Sequence, residues 1–356
     1  MYITVLCKVV DNFGDIGVAW RLCRRLSKIQ SKYKICLVVD DFESFSKIEN
    51  SVPVIANEAC QSITIDGIEI FPWKDYTLCH EVFSRNDGER LSIILELFQC
   101  GRPDWMEKIL FEEKLNRTVQ IIMIDYLTAE KYAEDFHCLQ SLTRSAKVQK
   151  VNFMPGFTER TGGLVIEDDW QQVPEYKADG PVLIFTYERD WNDLANGLGK
   201  RRLLVAQGRG KESFMQAAIE STFVEELPYL NQTEWDKMMK TCSALVIRGE
   251  ESMSRACLSG IPFIWHAYPQ SDEYQLVKVR ALLERMKPHF EAADFDIVEK
   301  AWIAINSPDV TGNPYSDFFS SIPRLVPGFQ DFARSLRKNG DLASNLMTYI
   351  EKLAII

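Results

Sequence analysis

Two stretches of the chain hold side chains whose types and spacing suit chemistry at a charged group. The first is Asp11-Asn12-Phe13-Gly14-Asp15, with Gly17 just beyond it. Two carboxylates placed across one turn could converge on a single cation or acidic proton. In the other reading, Asp15 caps a helix, as aspartate commonly does, and Asp11 is solvated. Gly14 permits a tight turn, and Gly17 lets a ligand or neighbouring backbone approach a first helical turn. The second stretch is Arg248-Gly249-Glu250-Glu251-Ser252. A helix starting near Met253 would aim its free amides and the positive end of its dipole at this loop, an arrangement that binds phosphate. Arg248 would add a fixed cationic fork, Gly249 close backbone approach, and Ser252 a cap or a hydrogen bond. Two glutamates beside a diphosphate would repel it. Glu250 and Glu251 therefore suit sugar or ribose hydroxyls, or a cationic acceptor. Upstream, Tyr229 and Gln232 pair an aromatic face that can stack on a base with an amide that can read its edge. Packing is the plainer role for that tyrosine.

The elements around these residues follow from periodicity. Ile3 to Val10 is a continuous apolar run that reads as a buried strand. Ala19, Leu22, Cys23, Leu26 and Ile29 then keep helical spacing, with Arg21, Arg24, Arg25 and Lys28 mostly on the other face. Ile35 to Val39, Ser92 to Leu97 and Gln120 to Ile124 give further strands. The pattern restarts with Val182 to Thr186 and Leu203 to Ala206. A helix over Trp235 to Cys242, a strand over Ala244 to Ile247, a helix over Met253 to Leu258 and a strand over Pro262 to His266 follow. Two successive β-α-β arrays imply an α/β protein of two Rossmann-like domains, with both candidate loops beyond carboxyl ends of strands, where such sheets bind ligands. The weakly periodic stretch from Gly156 to Gly180 suits the interdomain connection. The expected domains are residues 1–172 and 173–334, to which the family resemblance described below gives acceptor binding and nucleotide-sugar binding respectively. Residues 335–356 form a C-terminal helix, capped by Asp341, that packs back on the first domain.

Composition narrows the classes of function. The 356 residues carry a net charge of −10, which argues against nucleic acid, since phosphate backbones want a basic surface. Nine cysteines without a C-x-x-C pair suggest free thiols in a reducing compartment, hence the cytoplasm. His80, His137, His266 and His289 lie too far apart in sequence to suggest zinc. The run from Met1 to Val10 is far short of the roughly 20 apolar residues of a membrane span, so no membrane association is expected.

Taken together, the motifs resemble the bacterial protein-arginine rhamnosyltransferases that modify translation elongation factor P, the EarP type. The resemblance covers most of the chain. It runs through Asp11 to Val18, Pro155-Gly156-Phe157-Thr158 with Thr161-Gly162-Gly163, Leu227-Pro228 with Gln232, Arg248-Gly249-Glu250, and Trp265-His266 with Tyr268-Pro269-Gln270. It implies a GT-B fold, two Rossmann-like domains facing a central cleft, and inverting transfer of L-rhamnose from dTDP-β-L-rhamnose to one arginine at a loop tip of the factor. By this similarity Asp15 matches the general base, Asp11 an essential neighbour, and Glu250 a second catalytic carboxylate. Asn12, Phe13, Gly14, Tyr187, Gln232 and the loop from Arg248 through Gly249, Glu250 and Glu251 to Ser252 match donor contacts, and Tyr229 stands where an aromatic holds thymine. No metal or other cofactor is implied, because Arg248 and a helix N-terminus can stabilise the departing dTDP. The chain departs from the family pattern at Phe13, where tyrosine is common, and at Glu251, where aspartate is usual. It departs again at Met253-Ser254 and Cys257. Other readings are a different GT-B enzyme of nucleotide sugars (a small-molecule glycosyltransferase or an epimerase) and a non-catalytic nucleotide-sugar sensor. Retention of Asp11, Asp15 and Glu250 counts against the sensor.

Overall fold

The computed structural model describes residues 2–9, 13–52, 62–74, 91–112, 115, 117–218, 223–307 and 311–355. Asp11 and Asn12 lie outside these described residues. The chain divides into two units, Met1–Glu167 with Asn339–Ile356, and Asp168–Lys338.

In the first unit the strands are β1 (Tyr2–Cys7), β2 (Lys34–Val39), β3 (Ile63–Ile65), β4 (Ile68–Pro72), β5 (Leu91–Leu97), β6 (Thr118–Ile124), β7 (Gln140–Ser141) and β8 (Val148–Phe153). Their order across the sheet is β3-β4-β2-β1-β5-β6-β8-β7. From β4 to β8 every pairing is parallel, while β3 and β7 close the edges as antiparallel partners of β4 and β8. The central strands are apolar on both faces because helices cover both, which removes the solvent side that alternation requires. Helices α1 (Phe13–Ile29), α2 (Phe42–Ile48), α3 (Asp104–Phe111) and α4 (Tyr132–Phe136) belong to this unit.

The second unit holds a parallel sheet of β9 (Val182–Ile184), β10 (Leu203–Val205), β11 (Val224–Glu226), β12 (Ala244–Arg248) and β13 (Phe263–His266), in the order β11-β10-β9-β12-β13. Its helices are α5 (Asn192–Leu198), α6 (Lys211–Ala217), α7 (Gln232–Met239), α8 (Glu250–Ser259), α9 (Tyr274–Met286), α10 (Ala292–Asn306) and α11 (Pro314–Lys338). The last helix, α12 (Leu342–Ile355), returns to the first unit. There Leu342, Leu346 and Ile350 share one core with Ile3, Val5, Ile16 and Trp20. Both sheets reverse their strand order beside their first strand, at β1–β5 and at β9–β12. Connections leave such a point toward opposite faces and open a crevice at the carboxyl ends. No described helix is long and apolar enough to cross a membrane.

One expectation fails inside α1. Arg21 and Arg25 do not face solvent but are buried, and Arg24 is mostly covered. Arg21 and Arg24 share the carboxylate of Glu167, and Arg25 Nε lies 3.1 Å from Asp341 Oδ2. The cause is distant in sequence: the segment before Glu167 and the start of α12 cover the polar stripe, which local periodicity cannot foresee. The glycines before Glu167 permit this closure. A Cβ at Gly162 would meet the Phe153 ring at 2.7 Å, and one at Gly163 (φ +82°) would meet the Gly340 carbonyl at 2.6 Å.

Asp341 ties these parts together. It caps α12 by accepting from the Ser344 amide at 3.1 Å and hydroxyl at 2.8 Å, and its other oxygen accepts from the buried Ile166 amide at 2.8 Å. Removing it takes a carboxylate partner from the buried Arg25 guanidinium and an acceptor from the Ile166 and Ser344 amides. Asp341→Ala should therefore cost about 2–4 kcal/mol in the unfolding of the first unit, measured by urea titration. Adding Arg25→Met to that variant should recover part of the loss; no recovery would mean that capping alone carries the effect.

Candidate functional site

At the end of β1 the Val9 amide donates to Asp40 Oδ1 at 2.8 Å, which fixes where the following loop begins. Helix α1 starts at Phe13, earlier than a loop through Gly14 would allow. Asp15 is consequently the third residue of the helix and not a cap ahead of it. It is 3 % exposed, and a carboxylate in a first turn interacts favourably with the helix dipole. Phe13 is half-buried, with the Lys47 ammonium 5.5 Å from its ring centre. Gly14 is exposed and faces open space where a Cβ would stand.

Cys7, the last residue of β1, is buried close to this carboxylate. Burial first, and then the charge of Asp15, push its thiol well above the usual range. Burial likewise pushes the neighbouring Cys100 thiol up to about 12. These sulfurs stay protonated and act as packing groups rather than nucleophiles. Among the described residues no group of histidine, cysteine and carboxylate side chains is placed to hold a metal ion.

The second unit gathers its candidate residues at the β9–β12 reversal. Phe185, Thr186 and Tyr187 follow β9, and Arg248 closes β12. The Arg248 guanidinium lies between two aromatic rings, 4.6 Å from the Phe185 centroid and 4.7 Å from that of Tyr187. Such contacts hold a cation without cancelling its charge. Trp235 of α7 packs edge-on against Phe185 at 5.0 Å and supports the stack. Gly208, with φ +152°, comes so close that a Cβ there would lie 3.0 Å from Arg248 Nη2.

Helix α8 begins at Glu250, three residues before the expected start. The stretch after Arg248 is thus a helical first turn and not a loop. Gly249 takes φ +76°, which side chains other than glycine resist, and offers no side chain as a cap. Ser252 does not cap either, since it lies inside the helix and is buried. Glu251 is partly exposed, and its carbonyl accepts from the Ser254 hydroxyl at 2.8 Å. The Lys278 ammonium of α9 stands 3.4 Å from Glu250 Oε1 and offsets one of the two charges that would repel a diphosphate.

Tyr187 is buried, with the ring of the half-exposed Tyr268 edge-on at 5.4 Å. Tyr229, in the turn after β11, is 69 % exposed, so it is not a core residue and its ring is open to stacking. Asn231 caps α7 through a reciprocal box with Glu234, and Gln232, the first residue of that helix, is buried. The structure therefore brings Tyr187, Arg248, Gly249, Glu250, Glu251 and Ser252 together at one sheet edge. Phe185, Gly208, His266 and Lys278 join them, although the sequence reading gave none of the four a role. The local signals among them were the Gly208-Arg209-Gly210 run after an apolar segment and the Trp265-His266 motif.

Alanine at Gly208 would have to displace the guanidinium or strain its own backbone. If Arg248 takes the diphosphate that the family resemblance implies, Gly208→Ala should weaken binding of dTDP about tenfold by calorimetry while circular dichroism stays unchanged. Equal affinity would remove Arg248 from any anion site.

Comparison with known proteins follows the same lines. The chain matches the family described as "Elongation-Factor P (EF-P) rhamnosyltransferase EarP" over residues 3–180 and 172–351. A protein-arginine rhamnosyltransferase of Shewanella oneidensis is 30% identical over 325 residues, covering 78% of this chain and 79% of its own. One from Pseudomonas aeruginosa is 26% identical over 386 residues, covering 97% of each. A solved structure from work on the structural basis for EarP-mediated arginine glycosylation of translation elongation factor EF-P superposes with a TM-score of 0.62 at 19% identity, covering 99% of both chains. The chain has the GT-B fold and belongs to the EarP family of EF-P rhamnosyltransferases.

Proposed function

We propose that this protein transfers L-rhamnose from dTDP-β-L-rhamnose, with inversion, to an arginine at a loop tip of elongation factor P. In a chain of this family, the observation that carries the reading is Arg248, its guanidinium against the rings of Phe185 and Tyr187 where α8 begins. A planar fork and a helix N-terminus suit a diphosphate, and together they supply positive charge to the departing dTDP. The reading needs no metal ion. The exposed ring of Tyr229 offers thymine a stacking face.

The acceptor sets the harder problem. A guanidinium stays protonated, and its nitrogen lone pairs are delocalised over the plane. Asp15 takes a proton from the attacking nitrogen as the new C–N bond forms. The bond from the anomeric carbon to the phosphate oxygen breaks through an oxocarbenium-like state, and its electron pair leaves with dTDP. Attack on the face opposite the leaving group inverts the centre. By the family resemblance, Asp11 is an essential neighbour of Asp15 and Glu250 a second catalytic carboxylate. The burial of Asp15 keeps bulk water from competing for its carboxylate. Buried free thiols such as Cys7 and Cys23 accord with a reducing, cytoplasmic setting.

Incubation of elongation factor P with this protein and dTDP-rhamnose should raise the intact mass of the factor by one deoxyhexosyl unit; no gain would sink the reading. Asp15→Asn should slow transfer by about 10²–10⁴ while dTDP-rhamnose affinity stays within a few-fold. Normal turnover in that variant would leave Asp15 a structural residue of α1. Replacing the acceptor arginine by lysine should abolish transfer, because a compact ammonium does not present the planar, forked nitrogens that the proposed attack uses. Efficient modification of the lysine form would point to a less selective transferase.

A further inference from the structure

We infer that His266 is a positioning residue for donor binding, one that fixes Tyr187 against the Arg248 guanidinium. The inference rests on the donor reading of Arg248 given above and concerns a residue to which that reading assigns nothing. His266 ends β13, pairs in register with Arg248 on β12, and is 4 % exposed. Its ring reaches past β12 to the segment after β9, where Nδ1 accepts the backbone N–H of Tyr187 at 3.3 Å. The proton of the neutral ring therefore sits on Nε2. The Tyr187 ring stands edge-on to the imidazole at 5.2 Å, and Trp191 closes a second side at 5.3 Å. The other face of the arrangement is the Tyr187–Arg248 contact at 4.7 Å.

The chemistry of the site selects this side chain. An apolar residue would take this acceptor away from the buried Tyr187 amide. A carboxylate would accept the bond but would also pair with Arg248 and repel a phosphate. Lysine or arginine would add a cation and accept nothing. A neutral imidazole supplies the acceptor and leaves the charge of the site unchanged. Burial, then Arg189 and Arg248, hold its pKa at about 3, so it remains neutral at any working pH.

Three variants separate this role from packing: His266→Asn, whose amide oxygen can stand near the place of Nδ1; His266→Asp, of the same size but charged; and His266→Phe, which keeps a ring and loses the acceptor. Calorimetry with dTDP, together with steady-state kinetics on elongation factor P, reads the outcome. Phe should raise the donor KM about tenfold or more, with kcat at saturating donor within about twofold and acceptor KM unchanged. Asn should stay within about threefold of the parent, and Asp should lose at least as much as Phe. If Phe binds dTDP as the parent does, His266 is a core residue only. Should Phe not fold, equal dTDP affinity of Asn and Asp overturns the inference just as well. A parent that binds no dTDP overturns the donor reading and the His266 role with it, whereas a binding parent with indifferent variants overturns His266 alone.

Discussion

Under the proposed reaction, a chain with a net charge of −10 has to bring a cation to a diphosphate among its own acidic groups. Arg248 is placed for that task, with the rings of Phe185 and Tyr187 against its guanidinium and a neutral imidazole against the second of those rings. Gly208 gives the fork room, and Lys278 takes up part of the charge of Glu250. The arginines of α1 serve a different end. Arg21, Arg24 and Arg25 are joined to Glu167 or Asp341, and these pairs hold the closure of the fold.

Topology decides where such a residue can stand. In each sheet the reversal of strand order leaves a gap at the carboxyl ends, and the chain leaving a strand at that gap turns into a helix. After β12 the turn is Gly249, whose positive φ lets α8 start at once and aim its first-turn amides outward. After β1 the described chain resumes at the same kind of place, the first turn of α1 with Asp15 in it. The resemblance between the two halves of the protein is thus physical as well as architectural.

Much of this frame is legible in the sequence, since the β-α-β runs are continuous and long. The positions of α1 and α8 are less so. Phe13-Gly14 and Gly249-Glu250 look like loop because glycine lowers helix propensity, yet Gly249 stands ahead of α8 and not inside it, and Asp15 in the first turn of α1 is favoured by the helix dipole. Helix α11 carries Pro323, Pro327 and Gly328, signals that read as breaks, while its packing is set by residues such as Phe329 and Phe332 in the core. The short edge strands β3 and β7 have too few residues to show a period. Tyr229 could be assigned to either packing or stacking until its exposure was known. The partners of the site residues are harder still. His266 lies 79 positions from Tyr187, and Lys278 lies 28 from Glu250, so no window along the chain joins them. Roles for the carboxylates came from family resemblance, because spacing alone leaves Asp15 as well explained by a cap.

Under the proposed reaction the two substrates make opposite demands, and this gives a reason for two similar units in one chain. A diphosphate needs cations and open amides; an arginine needs carboxylates. Both can be met at a helix N-terminus, because the dipole there stabilises either a bound anion or an acidic side chain, each by about 0.3–1 kcal/mol. The same terminus cannot give its full effect to both, since an acidic side chain in the first turn takes up the field that a phosphate would use. In α1 the first turn goes to Asp15, which is buried there. In α8 the first turn also carries Glu250 and Glu251, and the conflict is eased by positive charge from outside the helix, with Arg248 before it and Lys278 beside it. The unit that handles the nucleotide therefore needs more than a helix end, and its aromatic stack and buried histidine are the parts that keep that extra charge in place.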